Sequence, residues 1–136
     1  MSVENKKTDF NKYSYREPNF YNKWRGFFQF LVTHIFYMVR FKLVYRLEVY
    51  GKENIPEDNK YIAAANHLST LDPPLVCGVL DKSVAYMAKQ ELFKNIFLRW
   101  WLDWLGAFAV DREKLHVSTI KTVKSIPNTG WVLGIF

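Results

Sequence analysis

The fold is decided by residues 61–80, YIAAANHLSTLDPPLVCGVL. Residues 61–65 form a short apolar run with small side chains, which is typical of a buried strand whose neighbours approach closely. Pro73 favours the first turn of a helix, so Asp72 or Thr70 is the expected cap of a helix that runs to the end of the segment. The sequence therefore predicts a strand, a polar turn and a helix.

The rest of the chain continues this alternation of strands and helices. Lys42 to Tyr50 alternates partly and closes on Gly51, which predicts an earlier strand. Further strands are predicted at 84–88, 107–110 and 131–136, and helices at 95–105 and 114–125. This order predicts an α/β domain, a partial mixed sheet with flanking helices, and chemistry at the carboxyl ends of the strands.

The amino-terminal part of the chain differs from the rest in charge and apolarity. Residues 1–23 are polar, lack the features of a secretory signal and are predicted to be a loose arm. Residues 26–39 are fourteen uncharged residues bracketed by Lys and Arg, too short a run for a membrane span, which needs ~20 apolar residues. On a helix, a narrow polar stripe faces a wide apolar face; the stripe consists of Arg25, Gln29, Thr33, Tyr37 and Arg40.

Residues 24–41 are therefore predicted to be an amphipathic membrane-interface helix. The alternative is a helix buried against the core of its own domain. Residues 1–50 hold nine Lys and Arg against four Asp and Glu, within a net charge of +6. Because this excess flanks the most apolar stretch, it suits an anionic membrane surface, and no nucleic-acid partner is expected.

Composition also limits the chemistry. Of the 136 residues, 49% are hydrophobic and 18% aromatic, which is enough for a core and suggests that some rings face lipid. A single cysteine excludes an internal disulfide and a cysteine-based zinc cluster. With only three histidines, no metal site is expected.

His67 and Asp72 carry the argument for catalysis. Five residues apart, they would lie about 140° from each other on one regular helix, so they meet only if a strand end curls into the next helix. The carboxylate would then fix the imidazole tautomer and leave the second nitrogen as a base for an alcohol. The alternative is an ordinary polar residue at a strand end and an ordinary helix cap.

Three segments in order resemble the glycerolipid acyltransferases, specifically the bacterial 1-acylglycerol-3-phosphate (lysophosphatidic acid) acyltransferases. They are Asn66-His67-x4-Asp72, Met87-Ala88-Lys89-Gln90-Glu91-Leu92 and Gly106-Ala107-Phe108-Ala109-Val110-Asp111-Arg112. The resemblance covers roughly residues 24 to 136. It implies acyl transfer to the sn-2 hydroxyl of lysophosphatidic acid, giving phosphatidic acid for phospholipid biosynthesis, at the cytoplasmic face of the cell membrane.

The resemblance also implies roles for four residues. His67 is the base that removes the hydroxyl proton, and Asp72 orients it. The hydroxyl then attacks a thioester of coenzyme A or acyl carrier protein, which is the acyl donor and not a resident cofactor. Lys89 and Arg112 lie where the family places cations that hold the phosphate or the developing oxyanion. The alternative for both cations is a solvated surface charge.

The sequence departs from the family after residues 131–136, where family members continue with Pro-Glu-Gly-Thr-Arg. This chain ends one residue short of that third motif. We therefore expect residues 42–136 to be the amino-terminal part of an acyltransferase domain, with little or no activity alone. The alternative is a catalytically inactive membrane-surface fragment.

Other nucleophiles are weaker candidates. Ser69 lacks the Gly-x-Ser-x-Gly pattern of serine hydrolases. Cys77 lies in a predicted apolar helix, where most cysteines are inert. His34 and His116 have no acidic partner at a useful spacing and are predicted to be structural, and Asp111 is given no role.

Overall fold

A parallel sheet organises the protein, whose computed structural model describes residues 12–136. The strand order is β1-β4-β2-β3, and all three pairings are parallel. The strands are β1 (Ile62–Ala64), β2 (Val84–Lys89), β3 (Phe108–Val110) and β4 (Val132–Ile135). The predicted α/β class is confirmed. The sheet is parallel where a mixed one was predicted, because a helix crosses over between each strand and the next.

Helices connect and precede the strands. An amino-terminal helix consists of α1 (Lys23–Leu31), a π-helical segment (Val32–Met38) and α2 (Val39–Leu43). The crossover helices are α3 (Asp72–Leu80), α4 (Ile96–Trp104) and α5 (Val117–Ser125). Shorter 3-10 turns lie at Pro18–Phe20, Lys52–Asn54, Gln90–Lys94 and Ile126–Asn128.

The core lies on both faces of the sheet. Successive residues of β2 alternate between the faces, since Val84 packs with Cys77 and Val132 whereas Ala85 packs with Phe108 and Leu133. Close packing requires the glycine of β4, because a Cβ on Gly134 would lie 2.7 Å from Val84 Cγ1. Both faces are therefore covered, as a parallel sheet requires.

The strand predicted for Lys42 to Tyr50 does not form. Helical hydrogen bonding continues through Leu43, and the Leu47 N–H then donates to Phe41 O at 3.0 Å. Arg46 takes a left-handed conformation with φ of 50°. The chain therefore leaves the helix through a backbone turn, and residues 46–50 pair with no strand in the described part of the protein.

The loose arm predicted for residues 1–23 is wrong for its described part; residues 1–11 lie outside the described residues. Ser14, Arg16 and Tyr21 are buried. The Arg16 guanidinium donates to the Asp103 carboxylate and to Ala107 O. Burial lowers the pKa of Arg16, and Asp103 opposes that shift. This segment is therefore anchored to the end of α4.

The amino-terminal helix turns the middle of its polar stripe toward the rest of its domain, whereas Arg40 of the stripe is exposed. Gln29 and Thr33 are each only 2% exposed. The Gln29 amide donates to Val84 O at 2.7 Å and Leu105 O at 2.8 Å, and its oxygen accepts from Val84 N at 2.9 Å. The apolar side chains that remain exposed are Trp24, Phe27, Phe30, Ile35, Phe36 and Val39. The helix is thus docked on its own domain through Gln29 and Thr33 together with the buried apolar side chains of Val32, Met38 and Phe41, while its other apolar groups are exposed.

Candidate active site

The turn after β1 brings His67 and Asp72 together. β1 remains paired with β4 just past its end, where Ala65 N donates to Ile135 O at 3.1 Å. The chain then curls directly into α3, which begins at Asp72. As a result, His67 Nδ1 lies 3.1 Å from Asp72 Oδ2. The strand-to-helix turn therefore produces the contact that the five-residue spacing requires.

The same carboxylate oxygen of Asp72 also holds the turn. It accepts from Ser69 N at 2.7 Å and from Leu68 N at 2.6 Å. The Ser69 N–H is the largest cause that keeps the pKa of Asp72 below its ordinary value, and the Leu68 N–H and His67 act in the same direction. Asp72 is thus an anion at neutral pH, and we assign the imidazole proton to Nδ1 from this hydrogen-bond network.

Neither Asp72 nor Thr70 caps α3, contrary to the prediction. Leu71 occupies the cap position, with no side-chain hydrogen bond to the helix. The reason is that the Asp72 carboxylate points back toward residues 67–69. This direction commits the carboxylate to His67 and the preceding turn.

His67 is supported on one side and open on the other. Its ring centroid lies 5.1 Å from that of Phe136, which in turn packs 5.7 Å from Tyr86. The Tyr86 hydroxyl donates to Pro73 O at 2.6 Å, at the start of α3. The His67 side chain nevertheless remains 40% exposed. With Nδ1 engaged, Nε2 is the nitrogen available to a substrate.

Lys89 and Arg112 lie at the same edge of the sheet as His67. Lys89 ends β2, opposite Val110 of β3, and Arg112 follows in the next loop. Both side chains are exposed, and neither forms a hydrogen bond or ion pair within residues 12–136. One strand, β4, separates β1 from β2, so the strands that carry His67 and Lys89 are about 10 Å apart. The two cations therefore line the edge without contacting His67.

His34 and His116 have acidic partners, contrary to the prediction. His34 Nε2 lies 3.2 Å from Asp81 Oδ1, and His116 Nε2 lies 3.3 Å from Asp111 Oδ2. The first contact joins distant segments, and no local signal indicates it. The contact between His116 and Asp111 has the five-residue spacing of the His67 pair with the residue order reversed, and this spacing could have indicated it in the sequence.

The remaining nucleophile candidates take structural positions. Burial raises the pKa of Cys77 to about 11, so the thiol is protonated and inert at neutral pH. The Ser69 hydroxyl accepts from Leu71 N at 3.1 Å, inside the turn. A small crevice beside Cys77, His34 and Asp81 lies at the start of β2, the opposite end of the sheet from His67.

Two possible features are absent from the described residues. Within residues 12–136, no three His, Cys, Asp or Glu side chains are grouped to hold a metal ion. In the same range, no helix has both the length and the apolarity needed to cross a bilayer.

A sequence family described as Acyltransferase matches residues 46–136. The chain therefore belongs to the acyltransferase family, and the match includes His67, Asp72, Lys89 and Arg112. Among relatives named 1-acyl-sn-glycerol-3-phosphate acyltransferase, that of Bacillus subtilis (strain 168) is 40% identical over 91 residues, which cover 66% of this chain and 46% of the relative.

Two further relatives carry the same name. That of Streptococcus pneumoniae is 38% identical over 74 residues, covering 53% of this chain and 28% of the relative. That of Saccharomyces cerevisiae is 32% identical over 101 residues, which cover 74% of this chain and 33% of the relative. The chain thus spans less than half the length of each of these relatives. No solved structure matches it significantly.

Proposed function

We propose that the protein is a 1-acylglycerol-3-phosphate acyltransferase that takes part in phospholipid biosynthesis. The reaction transfers an acyl chain from a thioester to the sn-2 hydroxyl of lysophosphatidic acid and yields phosphatidic acid. The observation that carries the proposal is the contact between His67 and Asp72 at the carboxyl edge of the sheet. The relatives named 1-acyl-sn-glycerol-3-phosphate acyltransferase support the choice of substrate.

His67 acts as the general base. Asp72 holds the proton on Nδ1, so Nε2 accepts the proton of the sn-2 hydroxyl as its oxygen attacks the thioester carbonyl. The tetrahedral intermediate then collapses, the carbon–sulfur bond breaks, and the imidazolium returns the proton to the leaving thiolate. No acyl-enzyme forms, which fits a site whose base has no hydroxyl or thiol of the protein as a hydrogen-bond partner within residues 12–136.

Lys89 and Arg112 bind the phosphate of the lipid substrate. Both are exposed, and each has its donors free of other partners in the part of the chain that the structure describes. Guanidinium and ammonium groups form short charge-assisted hydrogen bonds to phosphate oxygens, and the planar guanidinium does so in a bidentate way. Their place at the edge occupied by His67 orients the substrate hydroxyl toward the base.

An outer apolar face supports association of the active site with a lipid surface. We define it as the exposed apolar residues of the amino-terminal helix, named above, with Ile96, Phe97, Leu98 and Trp100 of α4. The two helices are joined by Phe28, whose ring lies 5.9 Å from Trp101 and 5.4 Å from Trp104. The whole chain carries a net charge of +6. An apolar face on a cationic protein suits an anionic bilayer, such as the cytoplasmic leaflet of the cell membrane.

A product assay with a defined substrate panel tests the proposal. The full-length protein is mixed with liposomes that contain lysophosphatidic acid, with acyl-coenzyme A or acyl-carrier-protein supplied in separate arms, and the lipids are identified by mass spectrometry. We expect phosphatidic acid from at least one donor, and no acylation of a monoacylglycerol that lacks the phosphate. Absence of product from both donors, together with retained liposome binding, would instead favour an inactive membrane-surface protein.

A further inference from the structure

We propose that Asp111 and His116 are positioning residues that fix Arg112 for phosphate binding. This inference rests on the proposed function, and it assigns a purpose to two side chains that the reaction itself does not use. The contact between them closes the loop that follows β3. We call this contact the 111–116 clasp.

The clasp joins the two ends of one connection. β3 ends at Val110 and α5 begins at Val117. Asp111 is the first residue after the strand, and His116 is the cap residue immediately before the helix. The 3.3 Å contact between His116 Nε2 and Asp111 Oδ2 therefore ties the end of the strand to the start of the helix.

The other oxygen of Asp111 fixes the backbone next to Arg112. Asp111 Oδ1 accepts from Glu113 N at 3.0 Å, which closes a tight turn. Both neighbours of Arg112 in the chain are thus held, Glu113 by the Asp111 carboxylate and Asp111 by His116. The Glu113 N–H is the largest cause that lowers the pKa of Asp111, so this carboxylate stays charged at neutral pH. Arg112 itself points into solvent with no protein partner within residues 12–136.

The clasp repeats the arrangement at His67 with the order reversed. In both, a His and an Asp five residues apart bridge a strand end and a helix start at the same edge of the sheet. In the turn after β1, the exposed group is the His67 imidazole itself, which is the proposed base. In the turn after β3, the Asp111 carboxylate lies next to the strand, and the exposed group beside it is the Arg112 guanidinium.

Fixing the backbone matters because the orientation of a guanidinium determines how well it binds phosphate. A fork that binds phosphate through two hydrogen bonds needs a defined position, and a displacement of about 1 Å can cost about 10²-fold in rate. An unanchored loop would spread Arg112 over many positions. The expected effect of losing the clasp is therefore weaker phosphate binding with little change at His67.

A double-mutant cycle in the full-length protein tests this effect. Arg112→Ala should raise the KM for lysophosphatidic acid about 10- to 100-fold, as expected for a charge-assisted hydrogen bond. His116→Ala should raise it about 3- to 10-fold, with kcat and the KM for the thioester nearly unchanged. The double variant should be no worse than Arg112→Ala alone, because the clasp acts through Arg112.

Two variants separate positioning from general damage to the fold. His116→Gln keeps an N–H that can reach Asp111 and should recover most of the parent KM. Leu115→Ala alters a neighbouring side chain of the same loop that is 71% exposed, and it should leave the KM unchanged. Additive effects in the double variant, or an equal loss of kcat in His116→Ala without recovery in His116→Gln, would overturn the proposal.

Equilibrium binding separates this inference from the proposed function. Short-chain lysophosphatidic acid is titrated calorimetrically into the same variants, after circular dichroism has confirmed that each is folded. The same order of affinities without turnover would sustain the clasp and refute the acyltransferase proposal. Turnover with His116→Ala behaving like Leu115→Ala would refute the clasp alone. A folded parent that neither binds nor reacts would refute both.

Discussion

At the residue scale, one carboxylate oxygen of Asp72 both contacts His67 and stabilises the turn that carries His67. It accepts three hydrogen bonds, one from the His67 imidazole and two from the backbone of the turn. Its charge therefore favours the Nδ1–H tautomer of His67 and also holds the turn that carries His67. In the proposed reaction, catalysis and local folding depend on the same group.

Replacing the Asp72 carboxylate should impair the reaction more than the fold. In Asp72→Asn the amide oxygen can still accept from Leu68 N, Ser69 N and His67 Nδ1, but it lacks the negative charge that stabilises the imidazolium formed when His67 takes the proton. We expect a folded protein whose kcat falls by about 10²- to 10⁴-fold, the range for loss of a properly positioned base. Steady-state turnover with lysophosphatidic acid, beside circular dichroism, measures both. A kcat within about threefold of the parent would contradict the role of Asp72.

The lowered pKa of Asp72 predicts a stability difference that depends on pH. A carboxyl group whose pKa is lowered by folding stabilises the native state above its unfolded value, near 3.8. That contribution is lost as the pH falls through the lower folded value. The melting temperature of the parent should therefore exceed that of Asp72→Asn at pH 7, and the gap should narrow below about pH 4. A gap that stays constant from pH 7 to pH 3 would contradict this explanation.

The carboxylate partner of His67 was predictable from the sequence and that of His34 was not, because only the first contact is local. The His67 contact is local, so spacing and the expected turn are enough to predict it. The partner of His34 is Asp81, at the far end of α3, and the contact depends on how the amino-terminal helix docks. The family resemblance, and not the spacing alone, indicated Lys89 and Arg112.

At the element scale, the amino-terminal helix was predictable in period but not in direction. The spacing of Gln29 and Thr33 indicates a stripe, yet a stripe can face water, lipid or protein. Gln29 faces protein because its amide satisfies the backbone of Val84, at the start of β2, and Leu105 O, at the end of α4. One face of this helix therefore packs on its own domain, and the other is exposed; contact of the exposed face with a membrane stays a prediction.

Removing the Gln29 amide should destabilise this docking. Gln29→Leu keeps a similar volume but leaves the Val84 N–H and two buried carbonyls without their partner. Each unsatisfied group costs about 1 to 3 kcal/mol, so for three groups we expect a loss of at least about 3 kcal/mol in the free energy of unfolding. Urea denaturation followed by circular dichroism measures the loss. Phe36→Ala, at a site 69% exposed, is the control, and it should change this free energy by less than about 0.5 kcal/mol. Equal effects would refute the docking role of Gln29.

At the scale of the whole molecule, the order of strands and helices determined the α/β class. All four strands of the sheet lie near their predicted positions, because apolar runs and turn residues are local signals. The parallel direction of every pairing follows from the crossover helices. The failed strand at residues 42–50 shows the limit, because an alternating pattern forms a strand only when a neighbouring strand can pair with it.

The outer apolar face predicts membrane association that is partly electrostatic. The protein should float with liposomes, and more strongly with anionic than with neutral lipid, because Lys and Arg near an anionic surface contribute about 1 kcal/mol each. High salt should remove the difference between the lipids and leave the apolar share. Phe27→Ser with Phe97→Ser should weaken binding to both lipids. Thr129→Ser, away from this face, is the control, and no flotation of the parent with either lipid would contradict the account.

A comparison of two histidines of this chain tests whether His67 is the catalytic base. His67 and His34 each contact a carboxylate, but they lie at opposite ends of the sheet. Each is replaced by alanine in the full-length protein, and the rate of phosphatidic acid formation is measured at saturating lysophosphatidic acid and thioester. We expect His67→Ala to lower kcat by at least about 10²-fold and His34→Ala to stay within about threefold of the parent. Near-normal turnover by a folded His67→Ala protein would contradict the assignment of His67 as the catalytic base.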